Sequence, residues 1–239
     1  MAIAPFLAMT AAEMRNQAVL PPKIAWMACH FSPYGLELSN LPKDLPPGSL
    51  LMVDDITPPH GHNPALIAEQ LTLCAKNLQC SGILLDFQRQ NCPETAALAK
   101  HLAERLPFPV AVSDSYADDL DCPVFLPPVP PSVPPEAYFS PWKGREIWLE
   151  LGLEGEILTL TEQGCTVTSL PYAAWDRDGF PDPELFCHYT IETNEKSAGF
   201  TLWRTKDDLQ NLLQAAEKLR ITYAVGLYQE LAPYVSLKR

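Results

Sequence analysis

The stretch SGILLDFQRQ, residues 81 to 90, contains the side chains that are the strongest candidates for chemistry. Its apolar run ends in one carboxylate, Asp86, and an amide, Gln88, follows two residues later, where a second acid would complete a catalytic pair. Residues two apart on a strand share a face, so both side chains would point to the same place. A carboxylate and an amide can hydrogen-bond a sugar, but an amide has no acidic proton to donate.

Further acids and aromatic residues stand at the ends of other predicted strands. Carboxylates accept hydrogen bonds from hydroxyl groups, and aromatic faces stack on sugar rings, so this combination suits a carbohydrate ligand. The alternative is structural, because acids at strand ends also cap the helices that follow. The candidate ligand-binding residues are His30, Tyr34, Asp54, Asp55, Asp114, Tyr116 and Tyr228, with Glu230 as a further candidate acid.

Two other constellations contain residues that can hold metals. DDITPPHGH, residues 54 to 62, combines two acids with H-x-H, but it lacks a third histidine nearby. SDSYADD, residues 113 to 119, is acidic, but it lacks the spacing of an EF-hand. G-x-S-x-G, P-loop and G-x-G-x-x-G motifs are absent from the sequence, which disfavours α/β-hydrolase, nucleotide and dinucleotide sites. We therefore expect neither a metal nor a cofactor.

The elements that would position these residues alternate between strand and helix. Apolar runs at 23–31, 50–55, 80–87, 108–114 and 122–128 predict strands that are covered on both faces, as in parallel sheets. Between them, 63–78 and 91–106 predict helices, the first opened by Asn63 and Pro64. This alternation with short connections predicts parallel strands with right-handed crossovers.

The remainder of the chain has a different pattern. Residues 146–170 predict an antiparallel insertion, and 185–205 predict a hairpin around NEKS. Thr205 and Asp208 form a capping-box pattern before a helix, and TYAVGLYQEL, residues 222 to 231, closes the chain as a strand. We predict a single α/β domain over 1–239, a TIM-type (β/α) barrel with 146–203 as its β-rich part, and leave open whether the barrel is complete, incomplete or rearranged.

Composition excludes several classes of partner. Apolar residues make up 47% of the 239 residues, which allows a sizeable core, and the net charge of −12 argues against nucleic-acid binding. The chain lacks a Lys/Arg cluster and an apolar run of about 18 residues, so we expect no membrane association. Seven scattered cysteines and an N-terminus without a basic region predict reduced thiols and a cytoplasmic location. The oligomeric state is left open.

The segment around Asp86 resembles a known motif. SGILLDFQ is similar to D-G-x-D-x-D-x-E, the signature on the fourth strand of family 18 glycoside hydrolases. The C-terminal run HYTIETNEKSAGFTLWRTKDDLQNLLQAAEKLRITYAVGLY resembles the spore-cortex and peptidoglycan-acting branch of that family. There, a strand pair is followed by a helix and a closing strand. The resemblance covers these two segments and implies a barrel that acts on N-acetylated glycans.

The match to this signature is partial. Gly82 and Asp86 stand at matching positions, whereas Ser81 and Leu84 replace its first two acids. Gln88 replaces the glutamate that protonates the leaving oxygen. In the closing strand, Tyr228 falls where the family has a tryptophan beneath the sugar, and the family's Met-x-Tyr-Asp motif is absent. The resemblance thus implies a sugar site whose acid has been lost.

Three hypotheses follow for function. In the family, the acetamide of the substrate attacks the anomeric carbon, and the enzyme supplies a proton to the leaving group. Without that acid, a general-acid contribution of roughly 10²–10⁴-fold is lost. The first hypothesis is therefore a glycan-binding barrel with weak or no hydrolysis, centred on Asp86 and Gln88. The second is an active glycosidase in which Glu230, Asp54 or Asp55 is the acid. The third is a structural or interaction protein.

Overall fold

The computed structural model describes residues 3–171 and 178–233. The strands in these ranges are β1 (Phe6–Met9), β2 (Ile24–Phe31), β3 (Leu38–Ser39), β4 (Leu50–Asp54), β5 (Gly82–Asp86), β6 (Val110–Ser113), β7 (Val124–Leu126), β8 (Ile147–Leu151), β9 (Gly155–Thr161), β10 (Gly164–Leu170), β11 (Phe180–Asp182), β12 (Cys187–Thr193), β13 (Ser197–Trp203) and β14 (Ile221–Leu227).

Eight parallel strands form a closed barrel, in the order β1, β2, β4, β5, β6, β7, β8 and β14. The barrel closes because β1 pairs with both β2 and β14. The predicted α/β barrel is thus confirmed, and it is complete. The segment FLAM, residues 6 to 9, is the strand that the sequence pattern missed, since four buried residues are too few to show a period.

Helices cover only part of the outside of the barrel. The helices are α1 (Ala11–Arg15), α2 (Pro64–Asn77), α3 (Pro93–Arg105), α4 (Asp114–Ala117), α5 (Pro135–Tyr138), α6 (Lys206–Gln214) and α7 (Tyr228–Leu231), with a 3₁₀ turn at Ser140–Trp142. The predicted caps are present: the Asn63 side chain accepts from the Ala65 amide, and Thr205 forms a capping box with Asp208. A loop replaces the helix after β2.

Apolar side chains fill the barrel below its carboxyl end. Trp148 lies across the interior, fully buried, with the Tyr223 ring 4.5 Å away in an edge-on contact. A Cβ at Gly82 would lie 2.7 Å from the Trp148 ring, so β5 needs glycine here. The inward-facing apolar residues are Phe6, Ala8, Ala25, Leu50, Met52, Leu84, Ala111, Phe125, Trp148 and Val225. The barrel is therefore a packed core, open only at its rims.

An antiparallel sheet is inserted between the seventh and eighth barrel strands. Its order is β10, β9, β13, β12 and β11. The predicted insertion is confirmed, with a shifted boundary: Ile147–Leu151 is a barrel strand, and the insertion sheet begins at Gly155. Arg204 anchors the sheet, because its guanidinium donates to the carbonyl groups of Val129 and Phe186. The residues described include no helix that is long and apolar enough to cross a membrane.

Candidate functional site

A group of carboxylates points inward at the carboxyl end of the barrel. Asp54 and Asp86 end their strands as register partners, and His30 is the partner of Asp54 on β2. Glu150 lies two residues after Trp148 on β8 and therefore shares its inward face. Asp54, Asp86 and Glu150 are thus the last inward-facing residues of their strands. We call these three residues the mouth carboxylates.

Asp86 and Gln88 lie in contact. The Gln88 Nε2 atom donates to both carboxylate oxygens of Asp86, at 3.1 and 3.3 Å. Burial raises the pKa of Asp86 above its usual range, and the charges of Asp54 and Asp55 add to the rise, while the amide of Gln88 opposes it. The amide therefore orients the carboxylate and favours its ionised form.

Asp55 holds the loop that carries Gln88. Its side chain is buried, with the residue only 2% exposed, and it accepts from the backbone amides of Gln88 at 2.8 Å and Arg89 at 3.1 Å. The Arg89 Nε donates in return to the Asp55 carbonyl at 2.7 Å. The structure therefore places Asp55 beneath this loop as a positioning group, whereas the sequence suggested a direct contact with a ligand.

Ser113 and Tyr116 support the same loop from the next strand. The Ser113 hydroxyl donates to the Leu85 carbonyl at 3.0 Å and accepts from the Phe87 amide at 2.9 Å. The Tyr116 hydroxyl donates to the Arg89 carbonyl, and its ring packs edge-on against Phe87. Tyr116, a predicted ligand-binding residue, thus lies at the site with its hydroxyl engaged by the protein. Sequence analysis missed the role of Ser113, since a serine at a strand end has no distinctive spacing.

Glu150 is the mouth carboxylate that sequence analysis missed. Burial raises its pKa to about 7, and the charges of Asp86, Glu154 and Glu230 contribute further. The alternation in IWLEL, in which Trp148 and Glu150 share a face, could have identified it. The sequence pattern assigned this segment to the antiparallel insertion instead, so its inward face was not recognised.

Glu230 and Tyr228 lie beside the mouth, in α7, and the strand before them ends at Leu227. The Glu230 carboxylate accepts from the Leu153 amide at 3.2 Å. Its pKa is raised, mainly by burial. Tyr228 packs against the core outside the barrel, while Leu227 packs against the interior cluster. The residue at the inward position is therefore Leu227, and the predicted placement of Tyr228 beneath a sugar is not observed.

The remaining predicted residues surround the mouth. His30 lies near Asp54 and lowers its pKa, although burial, the larger effect, raises it. The His30 Nδ1 atom is 3.1 Å from the Ala28 carbonyl. Asp114 is the first residue of the short helix α4, and its side chain accepts from the Ser115 amide at 2.7 Å. Tyr34 is 98% exposed on the loop after β2.

A groove lies between the loops that follow β2 and β4. It has a volume of about 490 Å³. Its lining residues are Ser32, Pro33, Tyr34, Gly35, Leu36, Thr57, Pro58, His60 and His62. Both loops extend from the carboxyl ends of barrel strands, so this groove lies on the same rim as the mouth carboxylates. In the described residues, no three acids, histidines or cysteines come together as metal ligands.

No family model and no curated protein match this sequence. Solved structures do match. A family 18 chitinase from Cycas revoluta, in complex with allosamidin, aligns with a TM-score of 0.55 and 10% identity, over 93% of this chain and 94% of that one. A chitinase from Chromobacterium violaceum aligns with a TM-score of 0.53 and 10% identity, over 93% of both chains.

A third match is the spore cortex-lytic enzyme SleL from Bacillus cereus, with a TM-score of 0.51 and 10% identity. The alignment covers 86% of this chain, which spans 63% of the length of that SleL chain. At these identities the likeness shows the fold alone. The chain therefore has a barrel like that of family 18 glycoside hydrolases, and Asp86 ends its fourth strand, as the sequence resemblance implied.

Proposed function

We propose that this barrel binds an N-acetylated glycan in its mouth and hydrolyses it weakly or not at all. The observation that carries the proposal is the contact between Asp86 and Gln88 at the end of the fourth strand. In a fold like that of chitinases, this rim is where βα loops build a site. Three neighbouring structures hold allosamidin, (GlcNAc)3 or (GlcNAc)4.

The chemistry of the mouth suits a sugar with an acetamide group. The Asp86 carboxylate can accept a hydrogen bond from an amide N–H, and Gln88 can donate to a glycosidic or hydroxyl oxygen. Asp54 and His30 offer further polar contacts on the neighbouring strands. The exposed ring of Tyr34 offers a stacking surface at the groove.

Weak hydrolysis follows from the residue at position 88. An amide cannot protonate a leaving oxygen, so the general-acid contribution of roughly 10²–10⁴-fold is absent there. Binding does not need that proton. One neighbouring Cycas revoluta structure carries a glutamate-to-glutamine substitution among its two changes and is in complex with (GlcNAc)4. Glutamine in a barrel of this fold is thus compatible with an oligosaccharide ligand.

Two other functions compete with this proposal. A purely structural protein needs no polar groups in its mouth, whereas three carboxylates point inward here, at an energetic cost from burial. An active glycosidase needs a carboxylic acid that still holds its proton near neutral pH. Of the acids that the sequence suggested for this role, Glu230 accepts from the Leu153 amide, and Asp55 holds the loop that carries Gln88. Binding with weak turnover therefore accounts for more of the site.

The location remains a proposal as well. All seven cysteines are free thiols, three of them buried. Free thiols persist in reducing compartments, so we place the protein in the cytoplasm. Fractionation of the source cells, with an antibody to the protein, tests this assignment.

Titration with (GlcNAc)4, followed by NMR or calorimetry, tests the proposed function. We expect saturable binding that weakens at least about tenfold in Asp86→Ala, because a charge-assisted hydrogen bond is lost. The matched control is Asp118→Asn, which changes an exposed acid away from the mouth. A glucose oligomer of equal length, without acetamide groups, should bind more weakly. Absence of (GlcNAc)4 binding at millimolar concentration would refute the proposal.

A further inference from the structure

Glu150 occupies an unusual place for a glutamate. It lies on a central strand of the barrel, on the inward face, directly above the layer filled by Trp148. Its neighbours on β8, Leu149 and Leu151, point outward into the apolar core. An eight-stranded barrel is only wide enough for side chains to meet across its interior. Glu150 on the seventh strand therefore faces the strands that carry Asp54 and Asp86.

The groups that surround Glu150 are mostly acidic. Asp86 faces it from β5, Glu154 from the loop after β8, and Glu230 from α7. The Tyr138 hydroxyl, from α5, is also close enough to sense its charge. The Tyr138 hydroxyl donates its hydrogen to the Pro127 carbonyl at 2.9 Å, so it does not donate to Glu150. The structure thus surrounds Glu150 mainly with negative neighbours.

The mouth carboxylates raise one another's pKa. Burial raises the pKa of Asp86, and the nearby charge of Asp54 adds to this rise, while the amide of Gln88 opposes it. Burial also raises the pKa of Glu150, to about 7, and the nearby charge of Asp86 contributes further. Near neutral pH, Glu150 can therefore still hold a proton, opposite the carboxyl group of Asp86 that Gln88 orients.

We infer that Glu150 is the proton donor for the weak glycoside hydrolysis of this barrel, in place of the amide at position 88. This inference rests on the proposed function, because it needs the glycan to lie in the mouth between Glu150 and Asp86. The general acid then lies on the seventh barrel strand instead of the fourth, while Asp86 keeps the position that the family signature gives it. Gln88 then binds and orients Asp86 and takes no part in proton transfer.

The step balances with the groups present. The acetamide oxygen of the substrate attacks the anomeric carbon as the bond from that carbon to the glycosidic oxygen breaks. The bonding pair goes to the glycosidic oxygen, which takes the proton of the Glu150 carboxyl. Asp86 stabilises the positive charge that develops on the cyclised acetamide. Water then attacks the anomeric carbon as the bond from that carbon to the acetamide oxygen breaks. The bonding pair returns to the acetamide, and one proton of the water goes to the Glu150 carboxylate.

The test compares hydrolysis of (GlcNAc)4 by the wild type and by Glu150→Gln, with products followed by mass spectrometry over days. We expect slow turnover by the wild type, with kcat/KM falling above about pH 7, and a loss of roughly 10²-fold or more in Glu150→Gln. Glutamine keeps the size and hydrogen-bonding capacity of the side chain. Binding of (GlcNAc)4 should therefore be retained in this variant.

Two further variants sharpen the result. Glu154→Gln removes an exposed negative charge near Glu150, so it should retain turnover and move the fall in kcat/KM to lower pH. Glu162→Gln, in the exposed turn after β9, should change neither quantity. If (GlcNAc)4 binds but is never cleaved, or is cleaved equally by Glu150→Gln, the role of Glu150 is refuted and glycan binding stands. If (GlcNAc)4 does not bind, the proposed function itself fails.

Discussion

Two groups of buried acids in this molecule have opposite surroundings. One group joins the insertion sheet to the barrel. Asp208 is 5% exposed and accepts from the Thr205 amide at 2.8 Å and the Thr205 hydroxyl at 2.7 Å, and His188 Nδ1 lies 2.8 Å away. Glu156 accepts from the Ser132 amide at 2.8 Å. Arg204, itself buried, supplies a positive charge close to both acids.

The mouth carboxylates have far fewer donors. Asp86 receives the side-chain amide of Gln88, and Asp54 receives the Ile56 amide at 3.0 Å. Glu150 is surrounded mainly by other acids. Burial raises the pKa of all three mouth carboxylates, and the nearby charges that raise it further are those of other acids.

This difference separates acids that hold the fold from acids that are poised for chemistry. A buried carboxylate with several donors and a cation is stable in its ionised form and fixes the chain around it. A buried carboxylate that faces other carboxylates is costly to ionise, which makes it a proton-binding site near neutral pH. The cost persists at the mouth because other parts of the fold supply the stability.

The largest effect should come from the donor-rich group. Asp208→Ala removes the half of the α6 capping box that accepts from Thr205, and leaves buried Arg204 with one nearby acid fewer. We expect the free energy of unfolding to fall by about 3 kcal/mol, the scale for losing hydrogen bonds to a buried charged group. Urea unfolding at neutral pH measures this loss.

The control for that experiment is the neighbouring residue. Asp207 lies in the same first turn of α6 but is exposed, so Asp207→Ala should cost less than 1 kcal/mol, the scale of a surface interaction with the helix dipole. Equal losses in Asp207→Ala and Asp208→Ala would show that the contacts of Asp208 with Thr205 and the nearby charge of Arg204 contribute nothing to stability beyond helix propensity.

The mouth should respond in the opposite direction. Glu150→Gln should stabilise the protein by about 1–3 kcal/mol above pH 7, and by little below pH 4.5. The folded pKa of Glu150, about 7, exceeds the ordinary value of 4.5. The wild type therefore loses stability as pH rises through this window, while the glutamine variant does not. Thermal and urea unfolding across pH 4 to 8 measure the gap, and a gap that is constant with pH would contradict the prediction.

The charge of Asp86 should account for part of the raised pKa of Glu150. In Asp86→Asn we expect the Glu150 pKa to fall from about 7 towards its ordinary value of 4.5. NMR of the side-chain carboxyl carbons, in protein with selectively labelled glutamate, measures the Glu150 pKa. Asp54→Asn is the matched control, because Asp54 acts on Asp86 and not directly on Glu150. If the Glu150 pKa shifts equally in the two variants, Asp86 is no closer to Glu150 than Asp54 is.

The sequence predicts four of the first five barrel strands and misses β1. Continuous apolar runs between capped helices identify β2, β4, β5 and β6, because a parallel strand buried on both faces has that composition. The four residues of β1 carry too little pattern. β8 carries an inward glutamate and precedes an antiparallel sheet, so its alternation was assigned to that sheet. Only the closure of the barrel reveals its position.

The candidate site is predictable in part for the same reason. Asp54, Asp86 and Gln88 could be found because each follows a recognisable strand. The direction in which a side chain points is harder to predict just after the last residue of a strand. Tyr228 lies one residue past the strand and packs outside the barrel, and Asp55 turns beneath the loop. Hydrogen bonds between residues distant in sequence decide these directions.

The smallest effect concerns the contact that defines the site. Gln88→Glu replaces the amide that donates to Asp86 with a carboxyl, at 3.1 Å from the Asp86 oxygen. Repulsion from Asp86 should raise the pKa of the new carboxyl above its ordinary value. Since a raised folded pKa means that stability falls as pH increases, we expect a loss of about 0.5–1 kcal/mol at neutral pH and a smaller one below the ordinary carboxyl pKa.

The exposure of residue 88 keeps this effect small, because solvent screens the repulsion. The matched control is Gln90→Glu, which adds the same charge on the same loop, and it should leave the melts unchanged at all pH values. Thermal melts of these variants and the wild type from about pH 4 to 8 span the raised carboxyl pKa. Identical melts for Gln88→Glu and the wild type would mean that residue 88 does not face Asp86 in solution. The likeness of this strand end to a glycosidase site would then have to be abandoned.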